Sequence, residues 1–252
     1  METTVLALML CLVMTSFPAE SVTIPLSMMD NSIDDMYNGC SDAMGEKVKN
    51  EYFPREMKKN ELFKKAWENK EKTATKKYEK SDKTLTKEQI QALLVYTGQA
   101  PKVYEPLNAA VQDSADKYAT NEFTYHALHY WLTTALQKLK SNTCRITYHR
   151  SKDAFTGELN HEIRFGYFAS SSTSPSKIHF GIKTCFQIET CLGASIKDYS
   201  LYAGEDEVLI LPYEKFKITE IAKDTYQKLK KCEKIYVLKS TGSQSNLNCK
   251  AT

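Results

Sequence analysis

The stretch TYHALHYWLTTALQKLK, residues 124–140, runs directly into SNTCRITYHR, residues 141–150, and the spacing of apolar positions changes between them. In the first, Tyr125, Leu128, Leu132, Ala135, Leu136 and Leu139 recur at the three- and four-residue intervals of one helix face. In the second, Cys144 to His149 is short, β-branched and aromatic, as a strand is. Upstream the helical period continues. Glu46 to Lys80 is rich in Lys and Glu, with Tyr52, Leu62, Phe63, Ala66 and Trp67 placed for an amphipathic face. Thr86 with Gln89 forms a capping box ahead of Ile90, Ala92, Leu93, Leu94 and Val95, and Thr97-Gly98 with Pro101 ends that helix. Downstream, Glu162 to Ala169, Ile178 to Ile188, Glu207 to Leu211, Lys215 to Ile221 and Lys234 to Leu238 read as strands. Helices first and strands afterwards predict an α+β fold. Residues 22–140 are expected to form a helical lobe and 141–252 a β lobe of a single domain.

The 252 residues are 42% hydrophobic and 26% charged, with mean hydropathy −0.47, which excludes a disordered tail, a collagen-like fibre and a multi-span membrane protein. A net charge of +3 and no dense arginine stripe argue against a nucleic-acid partner. Val5 to Met14, VLALMLCLVM, is too short to span a bilayer and sits where a signal-peptide core belongs, with Ala19 and Ser21 fitting a cleavage site. An uncleaved anchor is the alternative. Removal of residues 1–21 takes away Glu2 and Glu20 and raises the charge from +3 to +5. The polar C-terminus GSQSNLNCKAT lacks the hydrophobic block of a GPI signal. The mature chain is therefore expected to be secreted, extracellular and without a membrane anchor.

Cysteine usage points the same way. Cys11 leaves with the signal, and Cys40, Cys144, Cys185, Cys191, Cys232 and Cys249 remain. An even number in a secretory chain implies disulfides, with fifteen connectivities for six cysteines. A zinc site is disfavoured, because no Cys-x-x-Cys pair occurs and His126 and His129 sit in an aromatic helix where packing explains them. The Lys/Glu-rich helix reads as a solvated face, with a heparin or phospholipid patch as the sharper alternative.

Three segments of the β half carry candidate chemistry. In Gly204-Glu205-Asp206-Glu207-Val208-Leu209-Ile210, acids lead into a strand. If the stretch is extended, Glu205 and Glu207 share a face ~6.5 to 7 Å apart, close enough to divide labour, one stabilising a cationic carbon and one managing a nucleophile. An ordinary solvated acidic turn is the competing reading. Arg164-Phe165-Gly166-Tyr167-Phe168-Ala169-Ser170-Ser171-Ser172-Thr173-Ser174 puts hydroxyls beside an apolar wall, and Cys144-Arg145-Ile146-Thr147-Tyr148-His149-Arg150 ends a strand in two basic side chains. No Gly-x-Ser-x-Gly elbow, Walker loop or Gly-x-Gly-x-x-Gly is present.

In this order and spacing the segments resemble the vertebrate secreted and GPI-anchored mono-ADP-ribosyltransferases, which carry an Arg–Ser–Glu signature on three strands. Phe168-Ala169-Ser170-Ser171-Ser172 is similar to the Ser-centred strand and Glu205-Asp206-Glu207-Val208-Leu209-Ile210 to the Glu-x-Glu segment. Asp34-Asp35-Met36-Tyr37-x-Gly39-Cys40, Val95-Tyr96-Thr97, Thr190-Cys191-Leu192-Gly193-Ala194, Lys197-Asp198-Tyr199-Ser200 and Asn248-Cys249 extend the likeness over the mature chain. The resemblance implies a helical lobe on a β-sandwich NAD-binding core, and transfer of ADP-ribose from NAD (alternatively NADP) to exposed arginines of target proteins. It implies Glu207 as the catalytic carboxylate, Glu205 as the acceptor-orienting one, and Ser170 at the nicotinamide ribose. Tyr96, Tyr167 and Ser200 match further NAD-contacting positions. No metal is implied, and a monomer is expected. Cys40 is expected to pair with Cys249 and Cys144 with Cys191, leaving Cys185 and Cys232 for a third bridge.

One residue departs from the pattern: the family Arg falls here on His149, after Tyr148. A histidine there would bind a pyrophosphate more weakly at pH 7 and gain charge as the pH falls toward 6. Arg150, one residue on, is expected on the opposite face of a regular strand unless a bulge intervenes, in which case Arg150 takes the place of the family Arg at the NAD. An NAD glycohydrolase, against which the intact Glu205 argues, and a weak or inactive secreted relative, which His149 favours, are the alternatives.

Overall fold

A computed structural model describes residues 23–252, so the expected signal segment 1–21 lies outside the described residues. The first half is helical after a short strand β1 (Thr23–Pro25): α1 (Ser41–Lys47), α2 (Phe53–Lys59), α3 (Glu61–Lys80), α4 (Lys87–Tyr96), α5 (Tyr104–Gln112) and α6 (His126–Leu139). The capping box forms as expected: the Thr86 hydroxyl accepts from Gln89 N, and Gln89 Oε1 accepts from Thr86 N. The run expected to be helical from Glu46 to Lys80 is interrupted twice. A π turn spans Val48–Tyr52, because Pro54 offers no N–H to the preceding turn and its ring crowds the carbonyl of Asn50. At Asn60 the backbone leaves the helix (φ −113°, ψ 89°), and the side chain restarts it by accepting from Phe63 N at 3.0 Å.

The second half supplies β2 (Arg145–Ser151), β3 (Ala154–Thr156), β4 (Glu162–Arg164), β5 (Ala169–Ser172), β6 (Thr184–Thr190), β7 (Ala194–Ser195), β8 (Glu207–Ile210), β9 (Glu214–Tyr226) and β10 (Leu229–Ser243). Eight of these form one mixed sheet in the order β4-β9-β10-β6-β2-β5-β8-β7, while β1 and β3 form a small parallel pair. Only β6 and β10 run parallel within the large sheet. The expected strand Glu162–Ala169 is divided, because Gly166 takes φ +69° where a Cβ would fall 2.6 Å from Met29. Ile178–Phe180 form a 3₁₀ turn, so the strand begins only at Thr184.

Two larger cores meet at the sheet. Helices pack around Phe63, Leu93, Leu128 and Leu132, and reach Phe168, Ala194 and Leu209 of the β half. Behind the sheet, Phe165, Phe186, Ile188, Phe216 and Tyr236 form a second, aromatic core. The three disulfides, Cys40–Cys249, Cys144–Cys191 and Cys185–Cys232, have the expected pairing.

The chain ends are joined by charge as well as by Cys40–Cys249. Arg164 and Asp34, both with fully buried side chains, form an ion pair. Asp34 also accepts from Asn246 N and Leu247 N, and Arg164 donates to the carbonyls of Met28 and Gln244. Arg164 is thus a structural member of its segment. Asp34→Ala leaves the buried guanidinium with only the exposed Asp30 carboxylate, 3.7 Å away, at a cost of about 3–5 kcal/mol. For a chain of this size that is a fall of roughly 6–20 °C in the thermal midpoint. A calorimetric midpoint unchanged from wild type would refute this role.

Candidate functional site

The cleft opens where β2 and β5 diverge, since these strands share only the Tyr148–Ser172 pair. Glu207 opens β8 and is buried (7% exposed). Its Oε1 accepts from Ser170 Oγ at 2.6 Å, and Oε2 lies 3.5 Å from Ser200 Oγ. Burial pushes its carboxyl above the usual range, the two hydroxyls oppose that shift, and Glu205 adds to it. Tyr96, at the end of α4, donates to the carbonyl of Phe168, two residues before Ser170, and accepts from Asn108 Nδ2. Burial raises the Tyr96 phenol well above its ordinary value, so it stays protonated as a donor. Side chains from residues 96, 170, 200 and 207 are thereby brought to one place.

Glu205 is not on a strand. It ends a 3₁₀ turn (Ala203–Glu205), and Asp206 adopts the left-handed conformation at φ +49°. The extended geometry expected for Glu205-Asp206-Glu207 is therefore replaced by a tight turn. That turn is held by Ser172 Oγ donating to the Glu205 carbonyl and by Lys197 paired with Asp206. The half-buried Glu205 carboxylate lines the cleft and makes no hydrogen bond or ion pair among the described residues. It stays available to a ligand.

Register settles how the two basic residues lie. Tyr148 faces Ser172, and Ser172 faces Glu207. Residues opposite one another in neighbouring strands share a face, and alternate residues along a strand do too. Arg150 is therefore on the face of Glu207, and His149 is on the reverse with its partner Phe186. The His149 ring lies 5.7 Å from Phe186 and 6.3 Å from Phe165, and its Nδ1 is 2.7 Å from the Ser170 carbonyl. A carbonyl only accepts, so Nδ1 carries the proton of the neutral ring. Burial pushes the imidazole below its ordinary value, with the Ser170 bond opposing. The expected gain of charge toward pH 6 is therefore reduced. The ring edge still contributes to the cleft wall.

Arg150 is nearly buried (6% exposed) and makes no ion pair among the described residues. Nε and Nη2 donate to the Pro175 carbonyl, Nη2 also to the Lys230 carbonyl, and Nη1 contacts both sulfurs of Cys185–Cys232. An arginine stays charged in such a place, so the wall carries a positive charge with neutral neighbours. Tyr167 packs against Phe165 in the rear core, where burial pushes its phenol up to about 12, and it does not line the cleft.

Lys177 and Phe180 line the cleft too, with Lys177 Nζ donating to the Gly204 carbonyl, and the sequence reading missed both. The signal was there: a Lys and a Phe in the loop directly after the serine cluster. A roomier hollow, about 680 Å³, lies among helices around Trp67 and Tyr130, apart from Ser170, Glu205 and Glu207. The one metal-like group among the described residues, Cys144, Glu189 and Cys191, contains a disulfide. No helix among the described residues is long and apolar enough to cross a membrane.

A family model described as NAD:arginine ADP-ribosyltransferase matches residues 26–236. The chain is 31% identical over 239 residues to an erythroblast NAD(P)(+)--arginine ADP-ribosyltransferase of Gallus gallus, covering 90% of this chain and 75% of the relative. It is 33% identical over 240 residues to T-cell ecto-ADP-ribosyltransferase 1 of Mus musculus, covering 91% and 78%. Among solved structures, a mutant of the eukaryotic mono-ADP-ribosyltransferase ART2.2 in complex with NADH superposes with TM-score 0.77 at 30% identity, covering 90% of this chain and 98% of that one. With the fold and the sequence in agreement, the chain belongs to the NAD:arginine ADP-ribosyltransferase family.

Proposed function

We propose that the protein is a secreted NAD-dependent mono-ADP-ribosyltransferase that modifies arginine side chains of target proteins. The observation that carries this reading is the pair of unlike carboxylates: Glu207, buried and bonded by Ser170, and Glu205, uncommitted at the mouth. In the reaction the C–N bond between nicotinamide and ribose breaks. A C–N bond to a guanidinium nitrogen forms, and one proton is released. Glu207 steadies the positive charge on the ribose carbon as nicotinamide leaves, with Ser170 and Ser200 fixing its rotamer. Glu205 orients the acceptor guanidinium by a charge-assisted, bidentate contact and receives the departing proton. Arg150, on the same face, supplies the positive field for the pyrophosphate, and His149 is packing.

Extracellular action is supported by the three disulfides, which belong to oxidising compartments, and by the ecto-enzyme name of the mouse relative.

Glu205→Gln tests the division of roles. Nicotinamide release into water should persist within a few-fold of wild type, while transfer to agmatine should fall about 10²-fold, the usual scale for removing an acid–base group. Both activities are measured on one preparation. Equal loss of the two would mean that Glu205 serves the NAD half-reaction and that the assigned roles are wrong.

A further inference from the structure

At the cleft wall the Arg150 guanidinium rests on a disulfide. Cys185 sits opposite Arg150 on the neighbouring strand, so its side chain lies on the same face, and Cys232 joins it from the end of the β9–β10 hairpin. Nη1 of Arg150 is 3.3 Å from each sulfur, and Nη2 is 3.0 Å from the carbonyl of Lys230, two residues before Cys232. The hairpin end and its bridge thus provide three of the atoms that hold this cation.

The β9–β10 ladder is irregular at that end. Pairing between β9 and β10 shifts register on both sides of Cys232, and Lys231 between the contacts takes the left-handed conformation at φ +59°. A bulged ribbon twists and loses ladder bonds. Lys228, Lys230, Lys231 and Glu233 are exposed, and the end is anchored by a small cluster in which Cys185 and Cys232 are two of five buried members. The covalent bridge holds the sulfurs against Arg150 and, together with the Glu233 N–Ile182 O bond at 2.8 Å, keeps the Lys230 carbonyl beside them. Sulfur is a weak acceptor, so Nη1 is the corner of the guanidinium most readily given over to a phosphate oxygen.

We infer that the Cys185–Cys232 disulfide is a positioning element of the cleft: it seats the Arg150 guanidinium so that its charge meets the pyrophosphate of NAD. The bridge takes no part in the chemical step, which belongs to Glu207. The inference rests on the cleft being an NAD site.

The experiment is a cycle between the bridge and the arginine, read as KM and kcat for nicotinamide release. Replacing both cysteines by alanine should raise KM for NAD about tenfold, the scale of one charge-assisted hydrogen bond, and leave kcat within about twofold. Arg150→Ala should raise KM at least as much. Combining the changes should add nothing further, because the bridge acts through the arginine. Should the alanine pair melt below the assay temperature, valine at both positions, which refills the buried volume, takes its place. An unchanged KM without the bridge, or a bridge effect that persists in the Arg150→Ala background, overturns the inference. A wild-type protein that releases no nicotinamide and binds no NAD instead overturns the functional reading, so the two failures are told apart.

Discussion

Glu207→Gln should lower nicotinamide release by at least about 10²- to 10³-fold, with or without an arginine acceptor, because that is the scale for deleting a preorganised transition-state contact. The amide is nearly isosteric and can still accept from Ser170, so the bond seen at 2.6 Å can survive the substitution. Only the negative charge is lost. The wild-type profile should carry the same signature in its pH dependence. Burial and Glu205 raise the Glu207 carboxyl above its ordinary value, and the working form is the carboxylate. Activity should therefore be full at pH values above that raised value and fall as acid protonates Glu207, with the acidic limb above the value of a free glutamate. Residual release above a tenth of wild type in Glu207→Gln would remove this residue from the centre of the reaction.

Much of the helical lobe is legible in the chain because its information is local. Thr86 and Gln89 satisfy each other's backbone across three residues, and the α6 stripe repeats over four turns. The breaks are harder to read, since the helical pattern of Glu46 to Lys80 continues through Pro54 and Asn60. Only the missing proline N–H and the Asn60 side chain stop it. In the β half, single backbone conformations decide what pattern cannot. Gly166 divides one expected strand, and Asp206 turns Glu205 away from the line of β8. The short strands β1 and β3 leave no periodic trace, because they pair with each other across more than a hundred residues.

The site was legible in its residue types and poorly legible in its orientation. Ser170, Ser200 and Glu207 lie up to 37 residues apart and converge through strand pairing and one loop, which no local pattern encodes. What seats Arg150 is harder still: backbone carbonyls of Pro175 and Lys230, groups that every residue carries and that no sequence distinguishes. The choice between His149 and Arg150 needed the pairing of Tyr148 with Ser172, a single contact. A one-residue slip there would exchange the two side chains between faces.

That register makes the second large effect specific. Arg150→Ala should weaken NAD binding by roughly ten- to a hundredfold, the equivalent of a charge-assisted hydrogen bond at ~1.5–3 kcal/mol. His149→Arg, which restores the family's residue at its sequence position, should not strengthen binding. The new guanidinium would be directed at Phe165 and Phe186, where burial already disfavours a charge on the imidazole. It would be largely desolvated among these rings, and the thermal midpoint should fall. For the same reason NAD affinity of the wild type should show no rise attributable to His149 between pH 7.5 and 6. An imidazole whose pKa lies below its ordinary value gains less charge over this range, and the ring is turned to the face opposite Glu207. The measurement is NAD affinity of wild type and both variants at the two pH values, alongside their melting curves. Tighter binding in His149→Arg together with an indifferent Arg150→Ala would show that His149 faces the pyrophosphate, and that β2 meets β5 in the other register.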